Sequence, residues 1–182
     1  MGGLERAEWC GHFWVMIKGT ITSETPEVHW AHFYPNKARV LDLGCGFWTE
    51  AERKENYGTP HYFIGQKPKF YMGVDQNSED IRMFSMQYPE HKFVNQSVDS
   101  AEQITEWIAS NKITHLKADI ECAEGHIFKI STAMTLEKVA IETHNPELHE
   151  ECQRWIERIG MRVTRIDDVS FCPEILVIYG SC

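Results

Sequence analysis

The stretch Arg39 to Gly46, R-V-L-D-L-G-C-G, restricts what this chain can fold into more than any other. Val40, Leu41 and Leu43 make the apolar run that a parallel strand covered on both faces requires, and Asp42 interrupts it just before a turn. Gly44 and Gly46 let the backbone bend sharply and approach a ligand with no Cβ in the way. A strand that ends in such a turn marks the carboxyl edge of an open α/β sheet, where ligands of this architecture bind.

Further strands recur along the chain with room for helices between them. Phe70 to Asp75 (F-Y-M-G-V-D) reads as the second strand, Lys92 to Asn95 as a short third, Ile113 to Ile120 as the fourth and Leu136 to Thr143 as the fifth. Asn77 or Ser78 caps a helix to about Tyr88, with Ile81, Phe84 and Tyr88 on one face. Ser100 with Gln103 opens another, whose buried face is Ile104, Trp107 and Ile108. Ala123 and Ile127 are expected inside a helix that Gly125 weakens. Asn145 caps and Pro146 starts the last helix, with the stripe Leu148, Cys152, Trp155, Ile156 and Ile159 ending at Gly160. By contrast, Thr49 to Asn56 has helix formers but almost no apolar face. With Tyr57 to Lys69, punctuated by Gly58, Pro60, Gly65 and Pro68, this connection is expected to be a short exposed helix followed by a loop. Met161 to Ile166 and Ile175 to Tyr179 close the chain as two strands with no helix between them, which a hairpin placing one antiparallel strand in the sheet would explain.

This alternation predicts a Rossmann-like α/β/α sandwich around a mostly parallel, seven-stranded sheet. At 182 residues the chain suits one domain, 1–182, with a core over 38–182. Residues 1–37 carry Trp9, Phe13, Trp14, Trp30, Phe33 and Tyr34 and form an aromatic-rich cap, either a lid over the pocket or a flank on the sheet's outer face. Cys10, His12, His29 and His32 could be drawn as a zinc site, but their spacing departs from the structural zinc patterns.

A net charge of −9 argues against a general polyanion-binding surface, so nucleic acid is not the expected partner. The six cysteines show neither a C-x-x-C pair nor a dense framework, which fits a reducing, cytoplasmic setting. No apolar run approaches the roughly 18 residues of a membrane span. Acids, in contrast, gather at the strand ends. Asp42, Asp75, Asp119 with Glu121, and Glu142 with His144 come from four strands and are expected on one edge.

V-L-D-L-G-C-G followed by G-V-D resembles the cofactor half of class I S-adenosylmethionine-dependent methyltransferases. The resemblance implies that Asp42, Gly44, Cys45 and Gly46 lie beside the methionine moiety. It further implies that Asp75 accepts both ribose hydroxyls, which suits a carboxylate's two oxygens, and that Asp99 accepts the adenine amino group. Residues 115–124, H-L-K-A-D-I-E-C-A-E, and 139–144, V-A-I-E-T-H, resemble consecutive signatures of the FkbM-type methyltransferases. That family implies O-methylation of a hydroxyl on a small-molecule or carbohydrate acceptor. Two positions depart from the patterns: Trp48 stands where the superfamily has a third glycine, and Cys122 replaces the glycine of the FkbM signature.

Methyl transfer requires the acceptor oxygen to be aligned and its proton removed. His144 is the expected base, with Glu142 or Glu121 holding its tautomer and Asp119 beside it. An alternative has Asp119, Glu121 and His144 binding a divalent metal such as magnesium or manganese. A non-catalytic cofactor-binding or interaction module on a degenerate methyltransferase fold is the competing reading. A dinucleotide-binding oxidoreductase fits less well, because Thr49 occupies the third-glycine position of its fingerprint.

Overall fold

The chain begins with an antiparallel pair, β1 (Leu4–Trp9) and β2 (His12–Ile17), which forms a two-stranded sheet of its own. Among the described residues every later strand joins one seven-stranded sheet: β3 (Arg39–Leu43), β4 (Phe70–Asp75), β5 (Lys92–Asn95), β6 (His115–Ala118), β7 (Lys138–Thr143), β8 (Arg162–Val169) and β9 (Cys172–Ser181). The computed structural model describes residues 4–9, 12–17, 30, 32–47, 53–54, 58–121, 123–131, 135–169 and 172–182. The strand order is β5-β4-β3-β6-β7-β9-β8. Neighbours from β5 to β7 are parallel, while β9 runs antiparallel to both β7 and β8. The C-terminal pair is thus the expected hairpin, with β9 as the antiparallel strand. Because β3 lies between β4 and β6, the carboxyl ends of all three converge where the chain crosses over.

The helices delimited among the described residues are α1 (Thr59–Gly65), α2 (Ser78–Gln87), α3 (Ala101–Asn111) and α4 (Pro146–Arg158), with a 3-10 turn, η1 (Glu124–Lys129), after β6. Side-chain caps fix where three of them start. The side chain of Asn77 accepts from the N–H groups of Glu79 and Asp80, that of Ser100 from Gln103, and that of Asn145 from Leu148. One core joins α3, η1 and α4 to the sheet through Ile104, Ile108, Ile127, Trp155 and Ile156, packed with Leu41, Leu43 and Leu116. Trp155 also donates its indole N–H to the Ile130 carbonyl, so its burial leaves no polar atom stranded.

A second core gathers Trp30, Phe33 and Phe63 with Val40, Tyr71 and Ala140. Alternate side chains of a strand face opposite sides of the sheet, so β3 sends Leu41 and Leu43 to the first core and Val40 to the second. Trp30 and Phe33 therefore act as a flank packed on the sheet. The side chains of Trp9, Cys10, His12, Phe13, Trp14 and His29 lie outside the described residues, and the zinc drawing with them. His32 is described and sits 3.9 Å from Asp167.

One expectation needs correction. Tyr57 to Lys69 is not simply a loop: α1 forms there and buries Phe63 completely. Proline is tolerated in the first helical turn, where its missing N–H has no helical partner to lose, and Pro60 occupies that position. In the preceding segment, residues 53–54 are helical and the rest of 48–57 lies outside the described residues.

Candidate functional site at the carboxyl edge

The N–H groups of Gly44 and Cys45 both donate to the Val74 carbonyl, at 2.9 and 3.2 Å, and bind the turn after β3 to the end of β4. Gly44 has φ of +74°, and a Cβ there would stand 1.6 Å from the backbone oxygen of Asp119. Only glycine fits this contact with the end of β6. Gly46 meets a different constraint. Its N–H donates to Asp75 Oδ2 at 2.8 Å, and a Cβ on Gly46 would meet that same oxygen at 2.7 Å. Asp75 Oδ1 accepts from the Asn77 N–H at 2.7 Å. A carboxylate offers about four acceptor positions, so Asp75 retains capacity for further donors.

Beneath the turn lies a buried ion pair. Lys117 is fully enclosed; its Nζ stands 3.0 Å from Asp42 Oδ1 and donates to the Gly44 carbonyl at 2.8 Å. It also lies 4.9 Å from the centre of the Trp30 ring. Asp42 Oδ2 accepts from the hydroxyls of Thr59 and Tyr71. Burial alone would depress the Lys117 pKa, but Asp42 and Asp119 raise it, so the ammonium stays charged. Burial, reinforced by Asp42, holds the Tyr71 phenol and the Cys45 thiol in their neutral forms. Asp42 and Cys45 therefore shape the turn from below, and their side chains are inaccessible. Asp80 supports the same loop, accepting from the Phe47 N–H and pairing with Arg53 at 3.0 Å.

The acids of the last strands gather around His144, which follows β7 and is 8% exposed. Its Nε2 lies 3.0 Å from Glu121 Oε2, 3.4 Å from Glu142 Oε1 and 3.8 Å from Asp119 Oδ1. On the other side of the ring, Nδ1 is 2.9 Å from Glu124 Oε1. Burial would lower the imidazole pKa, but hydrogen bonds to Glu121, Glu124 and Glu142 outweigh it and raise the pKa. Burial, then the neighbouring charge of Glu142, pushes Asp119 well above the usual carboxylate range. Burial likewise raises Glu121, with His144 opposing.

The structure thus brings Asp119, Glu121, Glu142 and His144 together at one edge, and the ligand atoms of Asp119, Glu142 and His144 lie within 4.8 Å of one another. Glu121 arrives there by an irregular route. β6 ends at Ala118, and Glu121 adopts a left-handed φ of +54°, which turns it toward His144. Glu124, fully buried at the start of η1, joins them as a site residue that strand-end reasoning misses, although it is the last acid of H-L-K-A-D-I-E-C-A-E. Asp99 is exposed in the connection from β5 to α3, its N–H donating to Gln103. Trp48 and Cys122 lie outside the described residues. No helix among the described residues is long and apolar enough to cross a membrane.

No protein-family model matches the chain, and no curated protein matches it in sequence. Solved structures do match. An uncharacterized protein from Listeria monocytogenes superposes with a TM-score of 0.55 at 8% identity, over 89% of this chain and 68% of its own. TYW2 of M. jannaschii, in complex with AdoMet, gives 0.51 at 11% identity over 100% and 86%. Magnesium protoporphyrin IX methyltransferase from Synechocystis, with bound SAM, gives 0.50 at 10% identity over 80% and 70%. At these identities the likeness is one of architecture: the chain has the Rossmann-like fold of its methyltransferase neighbours.

Proposed function

We propose that this chain is an S-adenosylmethionine-dependent methyltransferase of FkbM type, acting on a hydroxyl of a small molecule or sugar. The observation that carries this reading is the pairing of the glycine turn with Asp75. Gly46 approaches the carboxylate closely enough to donate to it, and the carboxylate keeps acceptor positions for a ribose diol. The fold is shared with a methyltransferase solved with its methyl donor bound, and the sheet places the turn at the edge where such folds bind ligands. When bound, S-adenosylmethionine supplies an electrophilic methyl group on a sulfonium centre. The chain's own residues would then bind, align and accept a proton. Gly44, Cys45 and Gly46 present backbone to the cofactor, Asp75 holds the ribose, and Asp99 serves the adenine. His144 has both ring nitrogens engaged by carboxylates, so its part is to position them. Glu121, a quarter exposed, is the group assigned to take the acceptor's proton. The net charge of −9 favours a small acceptor over a polynucleotide.

Calorimetric titration with S-adenosylmethionine, with NAD as the control, tests the reading. Binding of the former alone is expected, and Asp75→Ala should weaken it by about 1.5–3 kcal/mol, the size of a hydrogen bond to a charged group. Absence of any binding heat at millimolar S-adenosylmethionine would reject the assignment and favour a non-catalytic module.

A further inference from the structure

The carboxyl edge holds more negative charge than one imidazole balances. Asp119, Glu121, Glu124 and Glu142 all face His144, and Glu124 is fully buried. Among the described residues, Glu124 Oε2 and Asp119 Oδ1 are buried oxygens that accept no hydrogen bond. Carboxylates crowded in this way repel one another unless a cation joins them. The direction of the imidazole says where that cation sits. A carboxylate on Nδ1 holds a proton there and directs Nε2 at Glu121, Glu142 and Asp119, at 3.0, 3.4 and 3.8 Å. Metal-binding histidines are oriented in this manner, by an acceptor on the nitrogen that does not touch the metal. An ion bound at Nε2 would take the place of the proton that faces Glu121 and bring a second positive charge to the four carboxylates. The ligand atoms of Asp119, Glu142 and His144 all lie within 4.8 Å of one another, so side-chain shifts of a fraction of an ångström bring them onto one ion with bonds of about 2.0–2.2 Å.

We propose that Asp119, Glu142 and His144 bind one divalent cation of the magnesium or manganese class, with Glu124 as the residue that orients His144. Two carboxylates and one imidazole make an oxygen-rich donor set suited to these ions. Asp119 and Glu121 are 30% and 25% exposed, so one side of the site opens to solvent and leaves coordination positions for an oxygen ligand. The use of such an ion to acidify an acceptor hydroxyl rests on the methyl-transfer reading; the binding itself does not.

The test is a titration of the full chain with Mn²⁺ alone, following the loss of the free-ion electron paramagnetic resonance signal, without S-adenosylmethionine. One ion per chain is expected, displaceable by Mg²⁺. Asp119→Asn and Glu142→Gln should each weaken binding at least about tenfold, and Glu124→Gln about 10- to 100-fold through loss of orientation. Circular dichroism confirms that each variant is folded, and the partly exposed Asp119 supplies the variant least prone to disturb the core. A wild-type chain with no site tighter than millimolar overturns the proposal. Unchanged Mn²⁺ affinity in folded Asp119→Asn does so equally, because the ion would then be bound elsewhere. A chain that takes Mn²⁺ but shows no heat with S-adenosylmethionine would reject the methyl-transfer reading and leave the cation site standing.

Discussion

His115 and His144 lie on neighbouring parallel strands, one at the start of β6 and the other just past the end of β7, and are buried alike, at 7% and 8% exposure. Their chemistry diverges completely. His115 faces Phe33 edge-on at 5.6 Å and sits across the sheet from Lys138; burial first, then the lysine's charge, pulls its pKa down to about 4. His144 is surrounded by four carboxylates, which reverse the effect of burial and push its pKa up. Burial alone therefore does not decide which way a histidine's pKa moves. The neighbours decide, and in a parallel sheet the two strand ends supply different neighbours. The amino edge here collects Lys138, Phe33 and Tyr179, while the carboxyl edge collects the acids that end β3, β4, β6 and β7.

The two edges should also differ in how they tolerate a single added methyl group. Gly44→Ala places a Cβ 1.6 Å from a backbone oxygen at a positive φ, and backbone cannot step aside as a side chain can. A loss above about 4 kcal/mol, or no folded protein, is expected in urea denaturation. At the amino edge, Gly180→Ala would meet side-chain methyls of Ile156 and Val139 at 2.9 and 3.0 Å, which can shift, so about 1–3 kcal/mol is expected. Equal losses in the two variants would break the contrast.

Next in size is the buried pair under the glycine turn. Lys117→Ala leaves Asp42 enclosed with no cation and should cost about 3–5 kcal/mol. The double variant Asp42→Asn with Lys117→Met removes both charges and should recover a large part of that loss. A single variant as stable as the wild type would show that the turn does not depend on the ammonium.

Much of the architecture is legible because strands covered on both faces must be largely apolar, and Val40, Leu41 and Leu43, Met72 to Val74 and Val139 to Ile141 are apolar. The terminal hairpin can be read from Gly160 and the lack of a helical stripe after Ile166. What escapes depends on contacts distant in sequence. α1 reads as a loop because Pro60 counts as a breaker, whereas Phe63 fills the second core and Thr59 reaches Asp42 at 2.8 Å. At the site, Asp119, Glu121, Glu142 and His144 are legible as strand-end residues. Continuing the alternation past β6 would put Lys117, Asp119 and Glu121 on one side. Instead the ammonium turns under the glycine loop, and the left-handed backbone at Glu121 redirects its carboxylate. Glu124 escapes because full burial of a carboxylate follows from the partner it finds, His144, and not from any local pattern.

The smallest effect gives the most direct measurement of the contrast between edges. His115 has a folded-state pKa of about 4 against an ordinary value of 6.5. Between these values the unfolded chain binds a proton that the folded chain refuses, so the unfolded state gains as the pH falls. The stability associated with a neutral His115 is complete above pH 6.5, declines on acidification through that window, and is lost once the pH falls below the folded-state value. A tenfold difference in proton affinity between the two states is worth about 1.4 kcal/mol, so the window from 6.5 down to about 4 amounts to roughly 3 kcal/mol. His115→Gln, which cannot titrate, should therefore lose that much less stability than the wild type between pH 7 and pH 4 in urea unfolding. Carboxyl-edge groups titrate in both proteins and cancel in the difference, so the measurement isolates the amino edge. Parallel acid profiles for the two proteins would mean that His115 protonates as readily folded as unfolded, and that Lys138 and Phe33 exert no hold on it.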